Sequence, residues 1–185
     1  MKRWLGVVVL VMSGAAMSAG AQVAPYAMFS LGHYSGIGVG PGTAPNQSGG
    51  VTAMGGTLGV YDNFLRMGPA RLGADVRGVI ENSANSTPYG NKMAAGLFGL
   101  RVDGSGIPAF PFNPYVQAEI GVAGTNNGTS RSKESSFAYQ LQIGGDVTIF
   151  PHVAARVEYG AGQMTSIGGR GHTLQTFGVG LVVRL

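Results

Sequence analysis

Reactive side chains are few in this chain, and their spacing limits what they could do. There are 185 residues, no cysteine and three histidines, His33, His152 and His172. Without thiols, disulfides, thiolate metal sites and thiol catalysis are excluded. In His33-Tyr34-Ser35 an imidazole and a hydroxyl stand two residues apart. Such a pair could hydrolyse an ester if the imidazole activated the serine and a third group oriented the imidazole. The simpler reading is a strand end running into the loop that begins at Gly36. His152 follows Pro151 in a short break and reads as a turn residue, and His172 borders a glycine-rich segment without a local partner. No His-x-x-x-His or carboxylate cluster marks a metal site. Gly36-x-Gly38-x-Gly40-x-Gly42 has phosphate-loop spacing but lacks the strand–loop–helix setting with a lysine that such a site needs. The expectation is therefore no catalytic, cofactor-binding or metal-ligating residue, and no enzyme.

The remaining chemical resource is charge placed at alternate positions. Arg71, Asp75, Arg77 and Glu81 recur in one stretch, and Arg101, Glu119, Asp146, Arg156, Glu158 and Arg184 occupy comparable places elsewhere. These five cations and five anions need elements that point them one way. Alternation with period two puts them on one face of strands and the apolar residues on the other. Eight such stretches lie near 23–34, 51–61, 70–81, 92–102, 114–124, 136–149, 153–163 and 173–185, separated by Gly, Asn, Ser and Pro. Leu72, Ala74, Val76, Gly78 and Ile80 oppose the charges of the third. In the fifth, Val116, Ala118, Ile120 and Val122 oppose Gln117, Glu119 and Gly121. In the sixth, Phe137, Tyr139, Leu141, Ile143, Val147 and Ile149 oppose Gln140, Gln142, Asp146 and Thr148. In the seventh, Val153, Ala155, Val157 and Tyr159 oppose Arg156 and Glu158. The first, second and fourth stretches are less regular.

The last stretch sets Phe177, Val179, Leu181, Val183 and Leu185 against Gly178, Gly180, Val182 and Arg184. Left unpaired, such a strand is a sticky edge; pairing it with the first strand closes a barrel and removes the edge. Two polarities fit the alternation: a soluble barrel or sandwich with an apolar core, or a membrane barrel with lipid-facing apolar residues and charges inside. The start of the chain favours the second. Lys2 and Arg3, an apolar run from Trp4 to Met12, and small residues at Ala19-Gly20-Ala21 form an export signal with cleavage expected after Ala21. The apolar run is shorter than the ~20 residues of a membrane-spanning helix. Glycine, 33 of 185 residues, is far above the usual ~7% and suits the curved wall of a small barrel.

The expected architecture is thus all-β, an eight-stranded antiparallel up-and-down transmembrane β-barrel over 22–185, preceded by a signal peptide over 1–21. Removing Lys2 and Arg3 takes twelve basic residues to ten against eight acidic ones, too balanced for a nucleic-acid surface. With both termini periplasmic, 35–50, 82–91, 125–135 and 164–172 are expected outside the cell, carrying Arg131, Lys133, Glu134 and Arg170. The periplasmic turns are expected at 62–69, 103–113 and 150–152. Tyr26, Phe29, Phe137, Tyr139, Tyr159 and Phe177 suit interfacial girdles, or ordinary strand packing. Balanced charges in so narrow a bore predict an ionic plug rather than a selective channel, which favours a ring of one sign.

Gly144–Tyr159, G-G-D-V-T-I-F-P-H-V-A-A-R-V-E-Y, resembles the last hairpin of the OmpA-type transmembrane domain and related small outer-membrane β-barrels, with Pro151, His152, Arg156 and Glu158 at matching positions. Pro114–Glu119 resembles an earlier strand of that family, and Phe177–Leu185 its terminal assembly signal, although Leu185 stands where that signal usually ends in Phe. The resemblance spans essentially all of 22–185. It implies a barrel in the bacterial outer membrane, in contact with lipid and lipopolysaccharide and inserted by the outer-membrane assembly machinery. It also implies a role in envelope integrity, surface contact through the loops, or minor permeation. Cell-wall tethering is not implied, since no peptidoglycan-binding domain follows. His33-Tyr34-Ser35 separately resembles the H-Y-S stretch of outer-membrane lipid A deacylases, but there it lies late in the chain and precedes Asn, whereas here Gly36 follows. The readings open beside a non-enzymatic barrel are therefore a lipid A-modifying hydrolase, a narrow pore and a soluble periplasmic ligand-binding barrel.

Overall fold

A computed structural model describes residues 22–35, 50–83, 91–104, 111–126, 133–167 and 170–185. The export segment over 1–21, with its cleavage point, lies outside the described residues, as do Gly36–Gly42 and Arg131.

Eight strands follow one another in chain order: β1 (Gln22–Ser35), β2 (Gly50–Met67), β3 (Ala70–Ser83), β4 (Asn91–Gly104), β5 (Phe112–Asn126), β6 (Lys133–Phe150), β7 (Val153–Ile167) and β8 (Arg170–Val183). Each pairs antiparallel with the next, and β8 pairs with β1 to close the barrel. At that seam Tyr26 faces Val182 and Tyr34 faces Leu174. The seam continues past the ladder, since the Leu185 N–H donates to the Val23 carbonyl at 3.1 Å. The edge that β8 would expose is thereby paired.

The register fixes the stagger. Starting at Ala24, the paired residues are Tyr61, Asp75, Gly99, Glu119, Gln140, Gly162, Leu174 and then Tyr34, ten residues further along β1. Such a shear in an eight-stranded barrel tilts the strands by roughly 35–45° and leaves an interior just wide enough for side chains.

The strands outrun the apolar alternation. They are 14–18 residues long, against the ~9–11 that a tilted strand needs to cross hydrocarbon. The expected turn over 62–69 shrinks to Gly68-Pro69, because a register shift between Asn63 and Leu65 lets pairing resume and run on to Met67 opposite Ala70. Gly68 takes φ 59°, open to a residue without a Cβ. The expected outer loop over 164–172 shrinks likewise, since β7 runs to Ile167 and β8 begins at Arg170. At the β6–β7 turn Pro151 precedes His152, which adopts φ 69°. Its Nδ1 donates to the Arg184 carbonyl at 3.1 Å, and the Arg184 N–H donates to the His152 carbonyl at 2.8 Å. The turn is thus tied to the end of the chain.

Polarity runs opposite to that of a soluble domain. Ile80 is 71% exposed while its neighbour Glu81 is 1% exposed. Leu58, Phe98, Leu141 and Leu181 also lie outside, whereas Asp75, Arg101, Glu119, Asp146 and Arg156 are buried. In water this wall would be one large apolar patch. In a bilayer it is solvated by acyl chains, and the closed ladder leaves no unpaired strand edge. This polarity excludes the soluble ligand-binding barrel.

Candidate functional site

The interior is the one place where chemistry-bearing side chains converge among the described residues, and it has two unlike halves. The half nearer the termini is ionic. Asp146 on β6 receives Arg156 Nε at 2.8 Å and Nη2 at 2.9 Å, Arg101 Nη2 at 3.3 Å, and Arg184 Nη2 at 3.6 Å. Asp146 and Arg156 are cross-strand partners, so the main bidentate pair is local to one hairpin, while Arg101 reaches across from β4. Further along the axis the ratio inverts. Arg77 on β3 meets Asp75 at 3.2 Å, Glu119 at 2.9 Å and Glu158 at 2.5 Å.

Tyrosines knit the two clusters together. Tyr26 donates to Asp75 at 2.8 Å, Tyr115 to Glu158 at 2.6 Å, and Tyr61 to Asp146 at 3.3 Å. The guanidinium of Arg101 lies 3.5 Å from the centre of the Tyr115 ring and 4.1 Å from that of Tyr61, and Arg156 lies 4.4 Å from that of Tyr26. Cations over ring faces gain most where water is excluded. Inward glycines make room for these rings. A Cβ on Gly59 would sit 2.4 Å from the Tyr26 ring, and one on Gly144 would sit 2.6 Å from that of Tyr115.

The other half is mainly apolar, with Glu81, Ser83, Ser136 and His172 the buried polar residues among it. Val79, Met93, Leu97, Met164 and Leu174 point inward and pack with Ala53, Ala123 and Ala138. Tyr34 closes one side of this layer and donates to Glu81, which is 1% exposed. These inward apolar residues are why the alternation in the second and fourth stretches was irregular.

The residues singled out in the sequence are distributed as follows. Asp75, Arg77, Glu81, Arg101, Glu119, Asp146, Arg156 and Glu158 are all buried within the barrel. Arg184 reaches Asp146 from the terminus end with its side chain 18% exposed and also donates to Thr148 Oγ1 at 3.2 Å. Arg71 is half-buried opposite Asp103 in the β3–β4 register. Asp103 itself is buried, accepts from Asn63 at 2.8 Å, and lies 3.8 Å from Arg101. It lies one residue past the fourth stretch of alternation, 92–102, because β4 continues to Gly104. Tyr115 shares the parity of Gln117 and Glu119, a signal that could have placed it inside. Tyr26 is corrected: it is 4% exposed and faces the interior, not an interfacial girdle, since β1 alternates with Ala24, Tyr26 and Met28 inward. Phe29, Phe137, Tyr139, Tyr159 and Phe177 face outward, as do Val179, Leu181, Val183 and Leu185 of the terminal strand.

The candidate hydrolytic pair is not joined. Ser35 bonds through its hydroxyl to Thr173 Oγ1 and accepts from the Thr173 N–H at 3.0 Å, whereas His33 Nδ1 bonds to Thr52 Oγ1 at 3.2 Å. His172 turns inward and donates from Nδ1 to the Ser35 carbonyl at 2.9 Å. Among the described residues no group of three His, Cys, Asp or Glu could hold a metal ion.

No protein-family model matches this sequence, and no characterised protein matches it in sequence. Solved structures do match in shape. Neisserial surface protein A aligns with a TM-score of 0.58 at 13% identity, over 90% of this chain and 98% of that one. Ail, the attachment invasion locus protein of Yersinia pestis, aligns at 0.53 with 11% identity, over 89% and 99%. The outer membrane protein OprG from Pseudomonas aeruginosa aligns at 0.51 with 9% identity, over 89% and 96%. The fold is that of the small outer-membrane β-barrels. With its apolar wall and closed antiparallel ladder, this chain is a transmembrane barrel of the bacterial outer membrane.

Proposed function

We propose that this protein is a closed, non-enzymatic outer-membrane barrel that holds its outer loops in place at the cell surface and contributes to envelope integrity. The observation that carries this reading is the doubly filled interior: an Arg–carboxylate–Tyr network in one half and a Val/Met/Leu layer in the other. An ionic layer alone could hydrate and pass ions, and an apolar layer alone could wet transiently. Stacked, they set a charge network and an apolar layer in series along the bore. A rigid closed scaffold suits loops that make contacts, since a site held on rigid elements loses less entropy on binding. Surface contact is also consistent with the likeness to Ail, an attachment invasion locus protein. The partners on this reading are outer-membrane lipid and lipopolysaccharide around the wall, the assembly machinery at the β8 strand, and surface ligands at the loops. Cleavage after Ala21 releases the barrel domain from its export signal.

Planar-bilayer recording tests this reading against the narrow pore. The unmodified protein is expected to show no steady conductance, and a large stable conductance would overturn the proposal. Against the hydrolase, lipid A acylation is compared between cells carrying the unmodified protein and Ser35→Ala. The expected result is no difference, and loss of deacylation in the variant would give the activity to Ser35 and His33.

A further inference from the structure

The outer wall is not equally apolar all the way round. Toward the end of the barrel away from the termini, Gln163 on β7, Thr173 and Gln175 on β8, His33 on β1 and Thr52 on β2 face outward and are exposed. The ladder sets them side by side: Gln163 opposite Thr173, Gln175 opposite His33, and His33 opposite Thr52. On the far side of the barrel the same depth is apolar. The register stagger, spread evenly over the strands, brings Gln175 about level with Ile80 on β3 and Val122 on β5, and both of these lie exposed on the wall. Polar groups turned toward hydrocarbon are costly unless something bonds to them. Tyr139 donates to Gln163 Oε1 at 2.9 Å, and His33 Nδ1 bonds to Thr52 Oγ1 at 3.2 Å. These bonds leave the Gln163 amide N–H groups, the second imidazole nitrogen and the exposed Gln175 amide to meet a ligand.

A groove of about 360 Å³ lies on the wall directly below this polar shelf. Phe112, Ile143, Val157, Tyr159 and Phe177 line it, over the bare backbone of Gly144 and Gly145. Glu158 also borders it, but its carboxylate is turned into the bore toward Arg77 and Tyr115. Phe177 is two residues from Gln175 on the same face of β8, and its partner Tyr159 is two residues from Ala161, the partner of Gln175. Shelf and groove are therefore continuous, one above the other along the barrel. That is how the head and chain of a lipid are stacked in a leaflet.

We propose that β7, β8, β1 and β2 hold the head of one lipopolysaccharide molecule of the outer leaflet, with one of its acyl chains in the groove. Gln163, Gln175 and His33 bond to sugar hydroxyls and to the amide carbonyls that join sugar to acyl chain. The shelf contains no Lys, Arg, Asp or Glu, so recognition is by hydrogen bonding rather than by pairing with phosphate. This rests on the reading in which the loops away from the termini face outside the cell, and it narrows the lipid contact of that reading to one site.

Native mass spectrometry of the full folded barrel released from micelles is the test. Purified lipid A and phosphatidylglycerol are offered at equal concentration; the second has phosphate and acyl chains but no sugar ring or amide. The expected result is one lipid A retained per barrel, with a preference of roughly tenfold over phosphatidylglycerol from the hydrogen bonds of the shelf. Raising sodium chloride from ~0.1 to ~0.5 M, which screens exposed charges, should change that preference less than about twofold. The double variant Gln175→Leu/His33→Leu should lose the preference. Val157→Trp, which fills the groove and leaves the shelf intact, should weaken lipid A retention, and it decides alone if the double variant does not fold. Equal retention of the two lipids, a preference abolished by salt, or retention undiminished in both variants would overturn the proposal. So would dimers that disappear in the double variant, which would give the shelf to a second copy of the chain. Steady conductance in planar bilayers would overturn the closed barrel without altering lipid retention, so the two readings fail separately.

Discussion

Asp146 and Leu97 point into the same narrow bore, but they are held by different physics. The hydrogen-bond and ion-pair partners of the Asp146 carboxylate are guanidinium groups and a tyrosine hydroxyl, with distances of 2.8–3.6 Å to three arginines. Leu97 belongs to a cluster of methionine, leucine, valine and alanine side chains with one tyrosine, Tyr34. The ionic half is directional: each carboxylate must find its donors, and a misplaced group leaves a buried charge. The apolar half is non-directional and needs only volume. A barrel closed by charge alone would be vulnerable wherever one pair opened. A barrel closed by packing alone would lack the interstrand cross-links that Arg77 and Arg101 supply across the bore.

Substitutions should separate the halves. The largest effect is expected from Asp146→Ala, which leaves Arg101, Arg156 and Arg184 without their shared carboxylate. Removing one partner of a buried network costs about 3–5 kcal/mol, to be measured by urea unfolding from lipid vesicles; a change under about 1 kcal/mol would place the charges in a hydrated bore. Next comes Leu97→Ala, with an expected loss of about 2–4 kcal/mol from lost packing and the residual cavity. Because the ionic layer remains, this variant should stay silent in planar bilayers, and steady conductance would show that the apolar layer alone holds the bore shut. Gly144→Ala should cost about 1–3 kcal/mol by overpacking, because its Cβ would meet both the Tyr115 ring and the Val157 carbonyl at 2.6 Å. Its unfolding midpoint is the readout, and an unchanged midpoint would mean that the Tyr115 ring can move aside. The smallest effect belongs to Tyr26→Phe, which keeps the ring beneath Arg156 and removes only the hydroxyl bonded to Asp75. About 1 kcal/mol is expected from the same unfolding assay, since Arg77 still partners Asp75.

Much of the wall could be read from the sequence, and much less of the interior. Alternation such as Val116, Ala118, Ile120 and Val122 against Gln117 and Glu119 determines which face is which, because a one-residue slip would invert every side chain. It also gives the strand count. Alternation carries no information on who meets whom across the bore, which depends on shear. Asp146 and Arg101 are brought together from β6 and β4 only by closure. Alternation does not mark the strand ends, because pairing runs past it, to Met67 in β2 and from Lys133 in β6. The apolar layer was hidden because Leu97 and Leu174, read by hydropathy, look the same as wall residues. Tyr26 was ambiguous for a related reason, since a tyrosine suits a membrane interface and a polar interior equally.

Closure of both halves to water is the central claim, and thiol accessibility tests it most directly. The chain has no cysteine, so single substitutions report without background. Ala123→Cys probes the apolar half and Gln117→Cys the ionic half, each at a site 1% exposed. Arg66→Cys, in the exposed stretch before the β2–β3 turn, serves as the open control. With the folded protein in vesicles and a small water-soluble methanethiosulfonate, the account predicts rapid labelling of Arg66→Cys and essentially none of the two interior sites. Labelling of both interior cysteines at the rate of the control would show a water-filled bore and contradict the account.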